Sequence, residues 1–208
     1  MILDGHVHIR QGDVDRAKFR EQMRQAGVDG AVVLSPPPTS FRSGDAADDV
    51  ERRLDCLFSW AEGEQDLYPF YWIDPVKDDA IGQVGRAVAR GVKGFKVICG
   101  RHYPGDERAM PVYREIAKAG KPILFHSGIL WDGRPSGQYS RPVGFEALLE
   151  VDGLKFCLAH ISWPWYDECI AVYGKFLNAH SRRPGLAEMF IDVTPGTPPI
   201  YRRDALTK

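Results

Sequence analysis

The stretch MILDGHVHI, residues 1–9, combines the pattern of a buried strand with two histidines two positions apart. Because side chains alternate between the two faces of a strand, His6 and His8 share one face, while Val7 and Ile9 point into apolar packing on the other. Two imidazoles one pleat apart can bind a single metal ion. The alternative is two unrelated histidines near a terminus, and the rest of the chain decides between these interpretations.

Short apolar strands alternate with helical stretches along the chain. Strands are predicted at residues 2–9, 30–34, 67–73, 92–98, 121–125, 154–159 and 189–193, and helices at 14–26, 46–61, 78–89, 110–119, 145–150 and 164–178. Strict alternation of this kind predicts parallel strands joined by crossover helices. The strands are rich in Val, Ile, Leu and Phe, as expected where helices cover a sheet. No change in composition marks a second domain, so residues 1–208 are expected to form one.

A doubly wound open sheet and a barrel both fit this alternation, and the polar residues favour the barrel. Side chains able to do chemistry follow the ends of several different strands. They are His6, His8, Lys96, His126 and His160. A barrel gathers its strand ends at one mouth, whereas an open sheet spreads them along a line. No Gly-rich phosphate turn follows the first strand, which also argues against the open sheet.

Strand alternation lets these five side chains face the inside of the barrel near its mouth. In the sixth strand, this alternation predicts that Phe156 and Leu158 share the inner face with His160. Four of the six histidines fall in this group, a concentration that packing does not readily explain. Taken singly, His126 and His160 are each typical of a core histidine bonded to a backbone carbonyl. Lys96 needs a partner if it is buried, and a neutral lysine, an ion-pair donor and a carbamate formed with CO₂ stay open as alternatives.

A cluster of imidazoles suits Zn²⁺, and also Ni, Fe or Mn if oxygen ligands join it. An open coordination position would hold a water molecule, whose pKa zinc can lower to about 7. The implied reaction is attack of that activated water on a carbonyl-type carbon.

Composition excludes several other classes of protein. The chain has 27 basic and 28 acidic residues, and no basic stretch suggests nucleic acid. No apolar run approaches the ~18 residues of a membrane span. Asp4 and His6 occupy the place where a signal peptide needs an apolar core, so a cytoplasmic protein is expected. Four cysteines without CxxC spacing are expected to be reduced and buried: Cys56, Cys99, Cys157 and Cys169.

Three long loops, at residues 35–44, 100–108 and 127–142, are expected to overhang the mouth and contact a small-molecule substrate. Aromatic side chains beside arginines suit a carboxylated, planar molecule. The alternative is a solvated loop held by one aromatic residue. His102 is expected to be an ordinary loop residue, and His180 to lie in a solvated turn. The candidate substrate-binding residues are Arg101, Tyr103, Trp131, Tyr139, Arg141 and Trp163.

The motifs DGHVH at residues 4–8, FHSG at 125–128 and LAHISWPW at 158–165 resemble the amidohydrolase superfamily. The most similar branch is the amidohydrolase-related one that includes the aminocarboxymuconate-semialdehyde decarboxylase-like enzymes. This resemblance implies a TIM barrel with a divalent metal, zinc by preference, at the ligands His6, His8 and His126. It makes His160 a further ligand or the residue that orients the attacking water. A carboxylated Lys96 would bridge two ions, whereas the decarboxylase-like branch usually holds one.

The chain departs from the family pattern at its C-terminal end. The superfamily places a metal-binding, proton-shuttling aspartate at the end of an eighth strand. Neither Asp192, in the predicted seventh strand, nor Asp204, in a terminal polar segment, is a convincing substitute. TIM barrels typically need ~250 residues, and this chain has 208. The expected fold is therefore an α/β, (β/α)8-like TIM barrel with seven strands present, truncated at its C-terminus.

Three functions follow from the sequence. The leading hypothesis is a metal-dependent hydrolase in which His160 and Lys96 take catalytic roles. The second keeps the metal and changes the reaction to non-oxidative decarboxylation. The third is an inactive fragment or a metal-binding pseudo-enzyme, because the eighth-strand aspartate is missing. A homo-oligomer stays open for each of them.

Overall fold

Seven strands alternate with helices, as the sequence predicts. The computed structural model describes residues 1–9, 12, 15–43, 49–194, 196 and 198–207. The strands are β1 (Leu3–His8), β2 (Gly30–Leu34), β3 (Leu67–Trp72), β4 (Gly94–Val97), β5 (Ile123–Phe125), β6 (Lys155–Leu158) and β7 (Glu188–Ile191). The helices are α1 (Arg16–Gln25), α2 (Thr39–Ser43), α3 (Val50–Ala61), α4 (Ala80–Arg90), α5 (Met110–Lys118), α6 (Tyr166–Arg182) and α7 (Pro199–Leu206). The predicted starts of two helices, Val14 and Ala46, lie outside the described residues.

All seven strands are parallel, and each pairs with the next in chain order. Within the described residues, β1 and β7 are the two edges of the sheet. The sheet nevertheless curls far enough for these edges to meet at the C-terminal end of the strands. There His6 on β1 lies 2.9 Å from Asp192, the first residue after β7. This curled, seven-stranded TIM-barrel-like sheet confirms the predicted fold.

The outer face of the sheet packs against the helices. Alternate strand residues such as Val33, Phe95, Val97 and Phe125 are fully buried there. The ring of Phe125 makes edge contacts with the rings of Tyr113, Phe145 and Phe156. Edge-to-face pairs of this kind add to the free energy of burial. This packing fixes the strands and therefore the positions at which their ends emerge.

The inner face is less completely filled. A small apolar cluster of Leu34, Leu124 and Ala159 lies inside the sheet. Beside it, a cavity of about 680 Å³ extends along the gap between β1 and β7. Its walls include Leu3 and Phe190, which remain 44% and 46% exposed. The two edges of the sheet thus meet at the C-terminal ends of β1 and β7 and diverge toward the N-terminal ends.

The sixth strand faces the opposite way from the prediction. Phe156 and Leu158 lie in the outer core, whereas Cys157 faces inward and packs near Leu124. His160 still reaches the inner side because the chain turns sharply after β6. His160 and Ile161 have φ values of 62° and 44°. This left-handed conformation is unfavourable for a β-branched residue and aims the imidazole independently of strand alternation.

Other differences concern the helices. The proline-rich loop at residues 35–44 contains the short helix α2, and the helix predicted at 145–150 is a 3₁₀ segment, Pro142–Glu150. His180 belongs to the last turn of α6, not to a solvated turn, and its Nδ1 lies 3.3 Å from the carbonyl of Leu186. Helix α7 occupies what the sequence suggested was a terminal polar segment. None of the helices in the described residues combines the length and apolar character that a membrane-crossing segment requires.

Candidate metal centre

Strand β1 supplies two histidines to the mouth of the curled sheet. The Nε2 atoms of His6 and His8 are 3.2 Å apart. The pairing register with β2 shifts between Asp4 and Val7, so β1 contains one extra residue at this point. A bulge of this kind redirects side chains and is frequent beside active sites. His8 sits at the exposed rim, where its ring packs edge-on against Trp72 at 5.5 Å.

Asp192 orients the imidazole of His6. The Nδ1–H of His6 donates to the Asp192 carboxylate at 2.9 Å, and both side chains are less than one-tenth exposed. Burial by itself raises the pKa of Asp192, but hydrogen bonds from His6 and Thr194 outweigh it and lower the pKa to about 2. The carboxylate is therefore ionised. With its proton on Nδ1, His6 presents the lone pair of Nε2 toward His8 and Lys96.

His126 and His160 complete the group of imidazoles. The ring centroid of His160 is 4.9 Å from that of His6 and 5.3 Å from that of His126. His126 donates from one ring nitrogen to the carbonyl of Ile129. Its Nε2 is buried and has no hydrogen-bond partner. A buried nitrogen without a partner is unfavourable unless a bound ion or ligand contacts it.

Lys96 lies at the bottom of the group. Its side chain is fully buried, and its Nζ donates to Nε2 of His6 at 3.3 Å. Burial lowers the pKa of Lys96 to about 7, although the charge of Asp192 opposes this effect. A lysine near its pKa at neutral pH can exchange a proton, and its neutral form can react with CO₂.

The donor atoms fit a divalent metal ion. Burial lowers the pKa of His6 and His126 and brings that of His160 to about 4, so these imidazoles are neutral at pH 7 and each has one nitrogen without a proton. Ligand atoms of His6, His160 and Asp192 all lie within 4.8 Å of one another. The unpartnered Nε2 of His126 points to the same conclusion. Neutral imidazoles with one carboxylate are a donor set typical of zinc and of similar ions.

A second cavity, of about 410 Å³, opens at the ends of β3 and β4, and Trp72 in its wall contacts the histidine cluster at His8. Trp72 and Phe41 form an aromatic wall, with ring centroids 5.0 Å apart. Arg101 lines the cavity with an exposed guanidinium. His102, expected to be an ordinary loop residue, is only 5% exposed, and its Nε2 has no hydrogen-bond partner.

The remaining candidate substrate residues lie outside the wall of this cavity. Tyr103 donates to the side chain of Gln138 and contacts the ring of Tyr139. Arg141 is paired with Glu168 at 2.8 Å. Trp131 is 75% exposed and stacks on Trp163, which stacks in turn on Tyr201. Of the predicted substrate-binding group, the structure brings Arg101 alone into the cavity wall.

Two residues of the metal centre were set aside or missed by the sequence argument. Asp192 was judged an unconvincing substitute for an eighth-strand aspartate, yet its carboxylate contacts His6 because the sheet curls. Thr194 was not considered, and its Oγ1 lies 3.0 Å from Nδ1 of His160 and 3.4 Å from Nδ1 of His6. The aspartate that directly follows a strand was the one available signal, since the ends of parallel strands meet at one mouth.

Comparisons with known proteins agree with this architecture. A family model described as amidohydrolase matches residues 4–207. No curated protein matches the sequence. Among solved structures, 2,6-dihydroxybenzoate decarboxylase bound to 2,6-dihydroxybenzoate superposes with a TM-score of 0.58 and 15% identity, covering 100% of this chain and 92% of the other.

Two further structures show the same likeness. The 2,6-dihydroxybenzoate decarboxylase from Rhizobium gives a TM-score of 0.56 at 15% identity, over 100% of this chain and 91% of the other. A Staphylococcus aureus protein assigned as an amidohydrolase gives a TM-score of 0.65 at 14% identity, over 99% of this chain and 83% of the other. At such low identity these three structures establish a shared fold and leave the reaction open.

Proposed function

Because this chain belongs to the amidohydrolase family, we propose that it is a metal-dependent hydrolase acting on the carbonyl-type carbon of a small, carboxylated substrate. The main support is the convergence on His6 of its strand neighbour His8 and of groups from three other parts of the chain. His8, Lys96, His160 and Asp192 all contact its ring or its nitrogens.

The proposed metal ligands are His6, His8, His126 and His160, with Asp192 beside them. A divalent ion held by these residues, zinc by preference, would polarise the substrate carbonyl and make water a stronger nucleophile near pH 7. One ion is expected, and two if Lys96 is carboxylated.

His160 and Lys96 are the proposed proton-handling groups. His160 is neutral at pH 7 because burial lowers its pKa to about 4, and where the other histidines hold the ion, its Nε2 can accept a proton as water attacks the substrate. Lys96, with a pKa of about 7, can carry either protonation state at the operating pH. Its Nζ lies next to His6, where it can donate to developing negative charge on the substrate.

The 410 Å³ cavity is the proposed substrate pocket. Trp72 and Phe41 offer flat apolar faces to a planar group, and Arg101 offers a guanidinium fork that matches a carboxylate. Trp72 also packs against His8, which places this wall next to a proposed metal ligand.

Non-oxidative decarboxylation is the second candidate. Arg101 can pair with a substrate carboxylate in a cavity wall that also contains Asp74, Asp78 and Asp132. The fold is also shared with a decarboxylase crystallised with 2,6-dihydroxybenzoate. In this reaction Lys96 or His160 would protonate the carbon from which CO₂ departs.

Metal reconstitution followed by substrate screening tests the proposal. The apoprotein is titrated with Zn²⁺, Co²⁺, Mn²⁺ and Ni²⁺, and the bound metal is counted after gel filtration. We expect about one equivalent of at least one ion, in line with a site of this donor set. Panels of amides, esters and lactones bearing a carboxylate, and of aromatic and muconate-like acids, then separate hydrolysis from CO₂ release. Failure to retain any of the four ions would overturn the proposal.

A further inference from the structure

Thr194 contacts two of the proposed ligands at once. Its Oγ1 lies 3.0 Å from Nδ1 of His160 and 3.4 Å from Nδ1 of His6. The His160 imidazole also donates to the backbone carbonyl of Thr194. The hydroxyl oxygen can accept the Nδ1–H of His160, whereas the Nδ1–H of His6 is donated to Asp192. His160 then carries its proton on Nδ1, as His6 does, and its lone pair is on Nε2.

The segment after β7, residues 192–194 and Gly196, positions the Thr194 hydroxyl against His160. The carboxylate of Asp192 accepts the backbone N–H of Thr194 at 2.5 Å, which fixes the turn that presents the hydroxyl. The carbonyl of Asp192 accepts the N–H of Ile161 at 2.7 Å, inside the left-handed turn that aims His160. A β-carbon at Gly196 would collide with the ring of His160. The backbone at Gly196 therefore packs against the ring of His160, while the Thr194 hydroxyl contacts its Nδ1.

We propose that Thr194 is a positioning residue that fixes the Nδ1–H tautomer of His160, as Asp192 does for His6, and so prepares the Nε2 of His160 for the metal. This inference rests on the proposed metal-dependent function. Partners of this kind orient histidine ligands, and their removal typically weakens metal affinity 10–100-fold. Thr194 does not itself contact the substrate or the ion in this role.

Two substitutions separate the hydroxyl from the shape of the side chain. Thr194→Val keeps the branched outline and removes the acceptor, whereas Thr194→Ser keeps the acceptor. We expect Thr194→Val to raise the Co²⁺ dissociation constant about 10–100-fold and to shift the visible d–d absorption of the Co²⁺ form. Thr194→Ser should restore both to near the parent values. Thr207→Val is the matched control, because Thr207 bonds only to carbonyls in α7 and should not change either quantity.

A metal-free measurement keeps the two proposals distinguishable. Long-range ¹H–¹⁵N NMR of the apoprotein at pH 8 reports which nitrogen of each imidazole carries the proton. The parent protein should show Nδ1–H for His6 and His160. Thr194→Val should raise the Nε2–H fraction at His160, where the backbone carbonyl of residue 194 remains as an acceptor, and leave His6 unchanged because Asp192 still accepts its proton. If the parent protein binds no metal, the proposed function fails while the tautomer result still judges Thr194. Unchanged tautomers, or unchanged Co²⁺ affinity and spectrum, in a folded Thr194→Val variant would overturn the inference.

Discussion

The two faces of the curled sheet are built from alternate residues of the same strands, yet they differ in packing and in chemistry. On the outer face, Phe95, Val97 and Phe125 are fully buried among apolar neighbours. On the inner face, Lys96 is also fully buried but contacts a histidine, and a cavity of about 680 Å³ lies below it. Within one strand, outward-facing residues thus contribute to stability, while their inward-facing neighbours contribute to the candidate site.

This division has a physical basis. An apolar side chain on the outer face contributes its full burial and its contacts to the free energy of unfolding. A polar side chain on the inner face is desolvated and, unless a partner or ligand compensates, lowers that free energy. The outer face therefore supports the arrangement that the inner face requires. Substitutions on the outer face should therefore mainly lower the free energy of unfolding, whereas substitutions on the inner face should mainly change metal binding.

The largest effect on stability is expected from Phe125→Ala. The ring of Phe125 is completely buried against Tyr113, Phe145 and Phe156, so truncation should lower the free energy of unfolding by about 3–5 kcal/mol. Leu124→Ala, one residue away on the inner face, should lower it less, because Leu124 already borders the cavity. Urea unfolding of both variants measures the difference. Equal losses would remove the distinction between the faces.

Loss of metal binding is the next effect in size. His8→Ala removes a proposed ligand at the exposed rim, and we expect metal affinity to fall by at least ~100-fold, beyond the range for an outer partner of a ligand. Its unfolding free energy without metal should change by less than ~1 kcal/mol, as for other exposed positions. His180→Ala is the control, since His180 lies in the last turn of α6. Equal loss of metal in the two variants would contradict the proposed ligand set.

The sequence predicted the part of this site that depends on strand alternation. His6 and His8 share a face of β1, and Lys96 and His126 point inward from or just after their strands, as expected. His160 was also expected there, but for the wrong reason. Its direction comes from a left-handed turn, and this conformation has no signal in a His-Ile-Ser sequence.

Long-range geometry explains the residues that could not be predicted. Asp192 contacts His6 across 186 positions of sequence because seven strands curl far enough to bring the edges together. Neither composition nor periodicity specifies the curvature of a sheet. Thr194 then follows from Asp192, whose carboxylate orders the next two residues. The fold and the placement of most proposed ligands were thus accessible from local patterns, while the partners that orient these histidines were not.

The pH dependence of the apoprotein gives a smaller and more gradual effect. His126 stays neutral in the folded state because burial holds its pKa well below 6.5, whereas an unfolded histidine takes up a proton near pH 6.5. Below that pH the unfolded state binds more protons, so stability falls as the pH drops. The slope for such a histidine is about 1.4 kcal/mol per pH unit.

The variant His126→Asn isolates this contribution, since it keeps a donor for the carbonyl of Ile129 but does not titrate. Its stability, measured by urea unfolding from pH 7.5 to 4.5, should fall less steeply than that of the parent protein. The difference should begin near pH 6.5, the unfolded value, and not above it. Parallel profiles would mean that His126 is not held neutral by burial.

The smallest expected effect compares two cysteines on opposite sides of the sheet. Cys169 in α6 is fully buried in the outer core, whereas Cys157 on β6 is partly exposed and lines the 680 Å³ cavity. Cys157→Ala should therefore change the free energy of unfolding by less than ~0.5 kcal/mol, while Cys169→Ala should lower it by about 1 kcal/mol through lost contacts. The two variants remove the same atom, so a difference between them reports how well its surroundings are packed. Similar losses at both positions would show that the inner face is as tightly packed as the outer one, and the cavity would then no longer support the smaller loss expected for Leu124→Ala.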